Sequence, residues 1–284
     1  MALALAFLGP AGTYSDIASL ACAKRWKTTG NKILERYPYP SIPQTLKSVK
    51  DGEAQYAIVP VENSTEGSVT ITLDMLWQLH GLYIQQAWTL PISHALISHA
   101  NGVDTIQSVY SHPQALAQCQ EWLEVNLPNA TQIPTRSTTE ALQHVNQPSV
   151  GAIASRHAAQ LYNVPVLAYP INDRKDNCTR FWVVGLNESF VGTHTSLAIS
   201  LPANVPGALL KPLEIFARRG INLSRIESRP TKRSLGEYIF FLDIEADLSN
   251  DLVMSALDEL RPHTETLKTL GSYSIFHAED FVSL

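Results

Sequence analysis

The sequence predicts an α/β protein in two parts, of which the second is ferredoxin-like. Up to residue 186, short apolar runs of strand length alternate with amphipathic helical patterns, which is typical of α/β folds. After a break in composition at 187–195, the patterns follow the order βαββαβ. Hydrophobic residues make up 45% of the 284 residues and charged residues 17%, so the composition is globular and excludes disordered and collagen-like chains.

The first part contains a series of short strand patterns. Apolar runs predict strands at 4–8, 56–61, 108–111, 150–154 and 180–184. The stretch 82–98 is longer and irregular and contains Pro91, so we expect an extended segment that crosses between two lobes.

Helix starts lie between these strands, and each carries residue types that favour a helix N-terminus. They are Thr13 and Ser15 for the first helix, 65–68 for a helix over 69–79, Pro113 for 114–123, Ser137 and Glu140 for 141–145, and Ser155 for 156–162. Ser and Thr are good caps anywhere, so any one start is explained by capping alone. As a set, they indicate a crevice where helix N-termini present free N–H groups to an anionic ligand.

The second part has a regular order of elements. The patterns predict strands at 196–201, 222–229, 237–245 and 272–276, and helices at 208–219 and 251–260. Gly220 suits the position directly after the first of these helices.

Composition and motifs exclude several classes of function. The net charge is −5 and no basic cluster occurs, so we expect neither a nucleic-acid nor a membrane partner. Residues 1–8 read as a first strand rather than a signal peptide, and no apolar run is long enough to span a membrane. Cys22, Cys119 and Cys178 lie far apart, which favours reduced thiols and predicts a cytoplasmic protein.

Three polar segments are unusual for purely structural elements: residues 60–67, 111–114 and 176–181. Metal-binding, dinucleotide-binding, P-loop and G-x-S-x-G motifs are missing, so we predict a site built from neutral donors and dipoles, without a metal or cofactor. Within the segments, Cys178 is either a nucleophile or, more in keeping with a lone thiol, structural. His112 is interpreted as a cap or core residue rather than an acid.

These segments resemble the prephenate dehydratases that carry a C-terminal ACT regulatory domain. The matching motifs are GPAGTYS at 9–15, PVENSTEGSV at 60–69, SHPQALAQC at 111–119, STTEAL at 137–142, GAIAS at 151–155 and NCTRF at 177–181. In the second part, PGAL at 206–209 and ESRP at 227–230 resemble phenylalanine-binding motifs. The matches span nearly the whole chain and keep the family's order.

The resemblance implies a fold and a set of boundaries. The catalytic domain (1–186) would have two lobes similar to type 2 periplasmic binding proteins, namely 1–77 with 170–186, and 78–169. A linker (187–194), an ACT domain (195–277) and a C-terminal tail (278–284) would follow. No chorismate mutase segment precedes Gly9, so the monofunctional form is expected.

The resemblance also implies a reaction and its residues. Prephenate would lose water and carbon dioxide to give phenylpyruvate in L-phenylalanine biosynthesis, with Thr179 as the catalytic residue at the departing hydroxyl. Arg180 would pair with a substrate carboxylate or form a structural ion pair, and both readings stay open. The expected substrate-binding residues are Thr13, Glu62, Asn63, Ser64, Gln114, Ser137, Thr138, Asn177 and Arg180.

In the ACT domain, the resemblance implies an allosteric site for L-phenylalanine at a dimer interface, giving feedback inhibition of a homodimer or homotetramer. The residues expected there are Gly207, Ala208, Leu209, Glu227, Ser228, Arg229 and Pro230. Two alternatives remain: an arogenate dehydratase, and a non-catalytic binding protein that senses amino acids.

Overall fold

The computed structural model describes residues 2–30 and 33–282, and in these ranges the chain forms three β-sheets flanked by helices. The strands are β1 (Leu3–Leu8), β2 (Leu34–Tyr39), β3 (Tyr56–Asn63), β4 (Gly67–Ser68), β5 (Tyr83–Pro91), β6 (Ala95–Ile97), β7 (Ser108–Ser111), β8 (Thr131–Pro134), β9 (Val150–Ala154), β10 (Val166–Ala168), β11 (Cys178–Gly185), β12 (His194–Ser200), β13 (Leu223–Pro230), β14 (Tyr238–Ile244), β15 (Thr266–Tyr273) and β16 (Ile275–His277). The helices are α1 (Tyr14–Gly30), α2 (Ile42–Lys50), α3 (Thr70–Gln78), α4 (Pro113–Ala117), α5 (Gln120–Asn126), α6 (Arg156–Tyr162), α7 (Leu210–Ala217) and α8 (Asp251–Leu260).

Two of the sheets form the two lobes that the sequence predicts. The first lobe has the strand order β16-β5-β11-β3-β1-β2, and the second has β10-β6-β9-β7-β8. The chain leaves the first lobe after β5 and returns to it at β11, which lies antiparallel between β3 and β5. The two crossings between lobes confirm the predicted α/β arrangement and bring β11 back beside β3.

The lobe boundary differs from the one drawn on the sequence at 77/78. The structure places β5 in the first lobe, paired with β11 along its whole length, so the chain crosses after Pro91. β5 contributes Ile84 and Ala87 to one apolar core and Trp88 and Leu90 to another, so its apolar residues continue to the crossing without a turn signal that would mark the boundary at 77/78.

The third sheet confirms the ferredoxin-like prediction. Its strand order is β13-β14-β12-β15, all antiparallel, with α7 and α8 against one face. The opposite face packs on the first lobe, where Ile239, Phe241 and Tyr273 share one core with Trp182 and Val184.

The chain end departs from the predicted strand at 272–276. The last strand of the third sheet is β15, and after Ser274 the chain forms β16, which pairs parallel with β5 at the edge of the first lobe's sheet. Phe276 and Phe281 contact Trp88, and Ala278 and Val282 are buried in the same core, so apolar burial explains the switch of sheet.

Some of the predicted helix starts begin α-helices in the structure, and one begins only a short 3₁₀ helix. His112 caps α4 with Pro113 in its first turn, and Ser155 Oγ accepts a hydrogen bond from Ala158 N at 3.0 Å, as expected. The segment after Ser137 forms only a short 3₁₀ helix over Glu140–His144. No described helix combines the length and apolarity that a membrane span needs.

Candidate active site

A cavity of about 290 Å³ lies between the two lobes, near the small end of the range for ligand pockets. Among the described residues, those that line it include no Asp, Glu, Lys or Arg, which agrees with the expectation of neutral donors. The lining residues are Leu8, Tyr14, Ser15, Ile42, Pro60, Asn63, Val69, Ile92, His94, His112, Gln114, Ala115, Gln118, Thr138, Thr179 and Phe181.

Thr179 lines this cavity and its hydroxyl is oriented by Asn63. The two residues are direct partners on β11 and β3, and the Asn63 side-chain amide donates to Thr179 Oγ1 at 2.9 Å. Asn63 Oδ1 accepts the backbone N–H groups of Thr65 at 3.0 Å and Glu66 at 3.1 Å, so the amide nitrogen must face Thr179. Thr179 Oγ1 is therefore an acceptor for Asn63, and its own hydrogen is left for a ligand in the cavity.

Because these two N–H groups are bonded to Asn63, the segment around residues 64–68 is not available as an anion-binding site. Residues 64–68 form a turn and β4 rather than a helix start, and the N–H groups of Thr65 and Glu66 bind Asn63. The Ser64 hydroxyl accepts Cys178 N at 2.9 Å, which ties the turn to β11. This segment positions Asn63 and β11 and does not present its N–H groups to the cavity.

Asn177 and Gln118 continue the hydrogen bonds into the second lobe. Asn177 Oδ1 accepts from the Asn63 amide at 2.9 Å, and Asn177 Nδ2 donates to Gln118 Oε1 at 3.0 Å. Asn177 and Gln118 are 2% and 8% exposed, so these bonds are shielded from water. Residues predicted from two of the polar segments, Asn63 and Asn177, thus meet Thr179 in one buried network.

Three residues of this network and cavity were missed by sequence reasoning: Tyr14, His94 and Gln118. His94 Nε2 lies 3.0 Å from Gln118 Oε1, and His94 Nδ1 lies 3.0 Å from the Tyr14 hydroxyl. Gln118 was detectable, because it follows the predicted Gln114 by one helical turn in the same motif. The sequence indicated His94 only weakly as a site residue, because it is one polar residue within the extended stretch between the lobes.

Arg180 points away from the cavity. Successive residues of a strand face opposite sides of the sheet, and Thr179 faces the cavity. Arg180 Nη1 lies 3.5 Å from Asp243 Oδ2 of the third sheet and 3.7 Å from Glu62 Oε2. Of the two readings left open by the sequence, the structure shows the ion pair, and it places Glu62 on the same outer face.

The other expected binding residues lie around the cavity mouth. Gln114 and Thr138 line the cavity, and Ser137 lines a neighbouring cleft between the lobes. Thr13 Oγ1 donates to Pro10 O at 2.9 Å and accepts Asp16 N at 3.3 Å, so it caps α1 and is not among the lining residues. His112 Nδ1 accepts Gln114 N at 3.3 Å, which is the capping role predicted for it.

Asp16 links the two lobes beside the cavity. Burial acts to raise the pKa of Asp16, but hydrogen bonds from His157 and Gly12 N, together with the charge of Arg36, hold that pKa below its usual value. His157 belongs to α6 of the second lobe, and Ser155 Oγ also donates across the gap to Gly12 O at 3.0 Å. The lobes are thus held against each other by charged and neutral hydrogen bonds.

Cys178 has the surroundings of a structural thiol. Burial raises the pKa of the Cys178 thiol above its usual value, which disfavours the reactive thiolate. No group of three or more His, Cys, Asp or Glu side chains in the part of the chain that the structure describes is arranged to hold a metal ion.

Comparison with known proteins decides the family. The family model described as prephenate dehydratase matches residues 5–189, and the ACT domain model matches residues 195–262. The curated prephenate dehydratase of Lactococcus lactis subsp. cremoris is 36% identical over 281 residues, covering 96% of this chain and 98% of that protein. The chain belongs to the prephenate dehydratase family.

Solved structures share this architecture. The prephenate dehydratase of Arthrobacter aurescens in complex with L-Phe superposes with a TM-score of 0.84 at 33% identity, covering 99% of this chain and 92% of that chain. A second structure, described as GqqA, a novel type of quorum quenching acylases, has a TM-score of 0.81 at 27% identity, covering 96% and 98% of the two chains. The prephenate dehydratase architecture therefore includes at least one protein described by another activity.

In this member of the prephenate dehydratase family, the expected effector residues of the ACT domain divide between two environments. Glu227 accepts the Ser68 hydroxyl at 3.0 Å, and Arg229 Nε lies 3.2 Å from Asp74 Oδ1, so both contact the first lobe. Ser228 and Pro230 alternate with them along β13 and are exposed. Gly207, with φ +81°, lies in the exposed turn that leads through Ala208 and Leu209 into α7.

Proposed function

We propose that the chain is a prephenate dehydratase, which removes water and carbon dioxide from prephenate to give phenylpyruvate. The observation that carries this proposal is the Thr179 hydroxyl, whose hydrogen is left free toward an uncharged cavity between two lobes. The C–O bond to the ring hydroxyl breaks, the ring carboxylate leaves as carbon dioxide, and the electron pair of the broken C–C bond completes the aromatic ring. The departing hydroxide takes up a proton from solvent and leaves as water.

Thr179 acts on the departing hydroxide. A hydroxyl that accepts one hydrogen bond becomes a better donor for the next, so donation from Asn63 strengthens the bond that Thr179 makes to the leaving oxygen. A threonine hydroxyl is too weak an acid to give up its proton outright. Its contribution is a fixed hydrogen bond to the oxygen on which negative charge develops.

The uncharged lining suits the loss of carbon dioxide. A carboxylate held by an arginine or lysine would be stabilised in its charged form, which opposes dispersal of that charge into the ring. The lining residues supply neutral groups such as Gln114, Thr138 and Ser15 instead. The ring carboxylate is therefore oriented without an ion pair that the reaction would have to break.

The same lining favours prephenate over arogenate. Arogenate carries an ammonium group where prephenate has a keto oxygen, and a buried ammonium needs a carboxylate or several acceptors. Among the described lining residues, none is Asp or Glu. Donors such as the Gln114 amide and the Thr138 hydroxyl match a keto oxygen better than an ammonium group.

An acylase activity, which the description of one similar structure names, fits the site less well. A threonine nucleophile needs a base that accepts its proton. In the described part of the chain, the hydrogen-bond partner of Thr179 Oγ1 is the Asn63 amide, which is a donor. The geometry thus supports a hydrogen-bond donor at residue 179 rather than a nucleophile.

For regulation, we infer that L-phenylalanine binds the ACT domain of a homodimer or homotetramer and inhibits turnover. The similar Arthrobacter aurescens structure contains L-Phe, which supports this effector. The contacts that connect the ACT sheet with the catalytic lobe include Arg229 with Asp74 of α3, and Asp243 with Arg180, the residue next to Thr179. Displacement of the ACT domain would therefore act on β11 directly.

Steady-state turnover tests this function. The purified chain is expected to release phenylpyruvate from prephenate with a kcat/KM at least tenfold above that for arogenate, and to slow when L-phenylalanine is added. Binding of prephenate without product would contradict the proposed activity and favour a sensor. A higher kcat/KM for arogenate would contradict the proposed substrate.

A further inference from the structure

His94 is a buried residue at the crossing between lobes, and all of its polar groups have partners. Its side chain is 2% exposed and lines the cavity. Its backbone N–H donates to Asn172 Oδ1 at 3.2 Å, and its carbonyl accepts Ile171 N at 3.0 Å. Because Ile171 and Asn172 belong to the returning segment, the two crossings hold the His94 ring in a fixed place.

The neighbours of His94 determine which ring nitrogen carries the hydrogen. Two backbone N–H groups fix the orientation of Asn63, so the Asn63 amide donates to Asn177, and Asn177 in turn donates to Gln118 Oε1. Gln118 Oε1 is thus an acceptor, and His94 Nε2, 3.0 Å away, must donate to it. A neutral His94 imidazole is therefore the Nε2–H tautomer.

Tyr14 lies on the other side of the His94 ring. With the hydrogen on Nε2, His94 Nδ1 is an acceptor, and the Tyr14 hydroxyl lies 3.0 Å from it and 2.8 Å from the Ser93 carbonyl, so the single phenol hydrogen has two acceptors. Burial lowers the pKa of His94 and raises that of Tyr14 well above its usual value, so both are neutral near pH 7. A neutral phenol can share its hydrogen between His94 Nδ1 and the Ser93 carbonyl, so Tyr14 is compatible with the Nε2–H tautomer, and the acceptor at Gln118 Oε1 is what assigns it.

We propose that His94 is a positioning residue for the dehydration, whose Nε2–H holds Gln118 and, through Asn177 and Asn63, keeps the Thr179 hydroxyl turned toward the substrate. This inference rests on the proposed function for its catalytic consequence. The backbone N–H groups of Thr65 and Glu66 anchor one end of the amide chain, and His94 anchors the other. Without the His94 donor, the orientation of the Gln118 amide depends on a longer bond from its nitrogen to the Glu66 carboxylate at 3.4 Å and on the bond that its oxygen accepts from Asn177.

Two substitutions of His94 distinguish the effect of its N–H donor from the effect of the volume that its ring fills. In His94→Gln, the amide nitrogen reaches the region of Nε2 and keeps an N–H for Gln118. His94→Leu fills a similar volume without a donor. We expect His94→Leu to lower kcat about tenfold, which corresponds to about 1.4 kcal/mol, with KM changed less than threefold. We expect His94→Gln to recover most of this loss, and the exposed His99→Leu to behave as wild type.

A spectroscopic measurement tests the tautomer without relying on turnover. ¹⁵N–¹H correlation spectra of ¹⁵N-histidine-labelled protein distinguish the two neutral tautomers, and the signals missing in His94→Gln identify this residue among the nine histidines. We expect the Nε2–H pattern at pH 7. A Nδ1–H pattern, or a folded His94→Leu with wild-type kcat, would overturn the positioning role. Lack of prephenate turnover by the wild type would instead refute the proposed function. The spectra would still test the tautomer assignment in that case.

Discussion

At the scale of single residues, the orientation of one hydroxyl decides what the cavity can do. Thr179 Oγ1 receives a hydrogen bond from an amide that two backbone N–H groups hold in place. Those N–H groups come from the turn after β3, so the local fold of residues 63–66 sets the direction of the Thr179 hydrogen. Buried, fully partnered polar networks of this kind hold a single arrangement because each misplaced group would lose its partner.

The substitution Asn63→Asp reverses this hydrogen bond with little change in shape. A carboxylate still accepts the N–H groups of Thr65 and Glu66, but it cannot donate to Thr179, so the Thr179 hydrogen turns toward the carboxylate. We expect kcat for prephenate to fall about 100-fold, a loss similar to that of a single transition-state donor. Steady-state kinetics measure this effect.

The exposed Asn146→Asp serves as the control for the added charge. It is expected to keep wild-type kcat. If Asn63→Asp is folded and turns over prephenate at the wild-type rate, donation from Asn63 plays no part in activity.

The sequence identified Thr179, Asn63 and Asn177 because their motifs are distinctive, but it did not reveal their contacts. The bond between Asn63 and Asn177 joins residues 114 positions apart, and only the return of the chain at β11 creates it. The side of the sheet that Arg180 faces was easier to predict from the sequence, because successive residues of a strand alternate and Arg180 is next to Thr179. His94 and Tyr14 were missed because their roles arise from tertiary contacts on two different elements.

At the scale of elements, α3 connects the catalytic lobe with the ACT domain. Asp74 of α3 is paired with Arg229 at 3.2 Å and Lys232 at 2.5 Å, both from the ACT domain. Lys268 of β15 donates to the carbonyls of Leu76 at 2.5 Å and Leu79 at 2.7 Å, at the C-terminal end of the same helix. The helix thus has ACT partners at both its middle and its end.

The stabilisation from Asp74 should depend on pH. Burial acts to raise the pKa of Asp74, but the hydrogen bonds from Arg229 and Lys232 lower it below the ordinary value of 3.8. A carboxyl whose pKa is lowered by folding stabilises the folded protein above its unfolded pKa and loses that contribution as the pH falls through the folded pKa. We expect Asp74→Asn to lower the free energy of unfolding by about 2 kcal/mol at pH 7.

That difference should shrink as the pH falls from 3.8, where Asp74 of the unfolded chain takes up a proton, to the lower pKa of the folded protein. Chemical denaturation at several pH values measures it, and the exposed Asp104→Asn is the matched control. A difference that stays constant down to the lowest accessible pH would show that the charge of Asp74 is not what stabilises the contact.

Element boundaries show where sequence patterns stop being informative. The strand predicted at 272–276 spans the end of β15 and most of β16, which belong to different sheets. Residues 272–276 (SYSIF) read as one extended run in which aromatic and β-branched residues follow serines, so the local pattern does not mark the change of sheet. The partner sheet is chosen by long-range packing of Phe276 on Trp88, which no local pattern records.

At the scale of the whole molecule, the chain end joins the ACT domain to the catalytic domain. β16 pairs with β5, which in turn pairs with β11 at Thr179. The centroids of the Phe276 and Trp88 rings are 5.4 Å apart, and the Arg25 guanidinium lies 3.7 Å from the centroid of the Phe276 ring. The ACT sheet is therefore connected to the catalytic sheet at both of its ends, through the linker after β11 and through β16.

Removal of residues 275–284 should separate the unfolding of the two domains. The full chain is expected to unfold in one calorimetric transition, and the truncated chain in two, because the edge of β5 and the Trp88 ring lose their cover. Phe276→Ala is a milder test and should cost about 2 kcal/mol of catalytic-domain stability. Phe190→Ala, at a side chain that is 51% exposed, provides the control. One transition at an unchanged temperature in the truncated chain would argue against this coupling.

The most direct test of the central claim compares Thr179→Val with Thr179→Ser, using prephenate as substrate. Valine keeps the shape of threonine and removes the hydroxyl, whereas serine keeps the hydroxyl. If residue 179 donates a hydrogen bond to the leaving oxygen, kcat should fall about 100- to 1,000-fold in Thr179→Val and less than tenfold in Thr179→Ser, with similar KM values. A folded Thr179→Val that forms phenylpyruvate at the wild-type kcat would contradict the account.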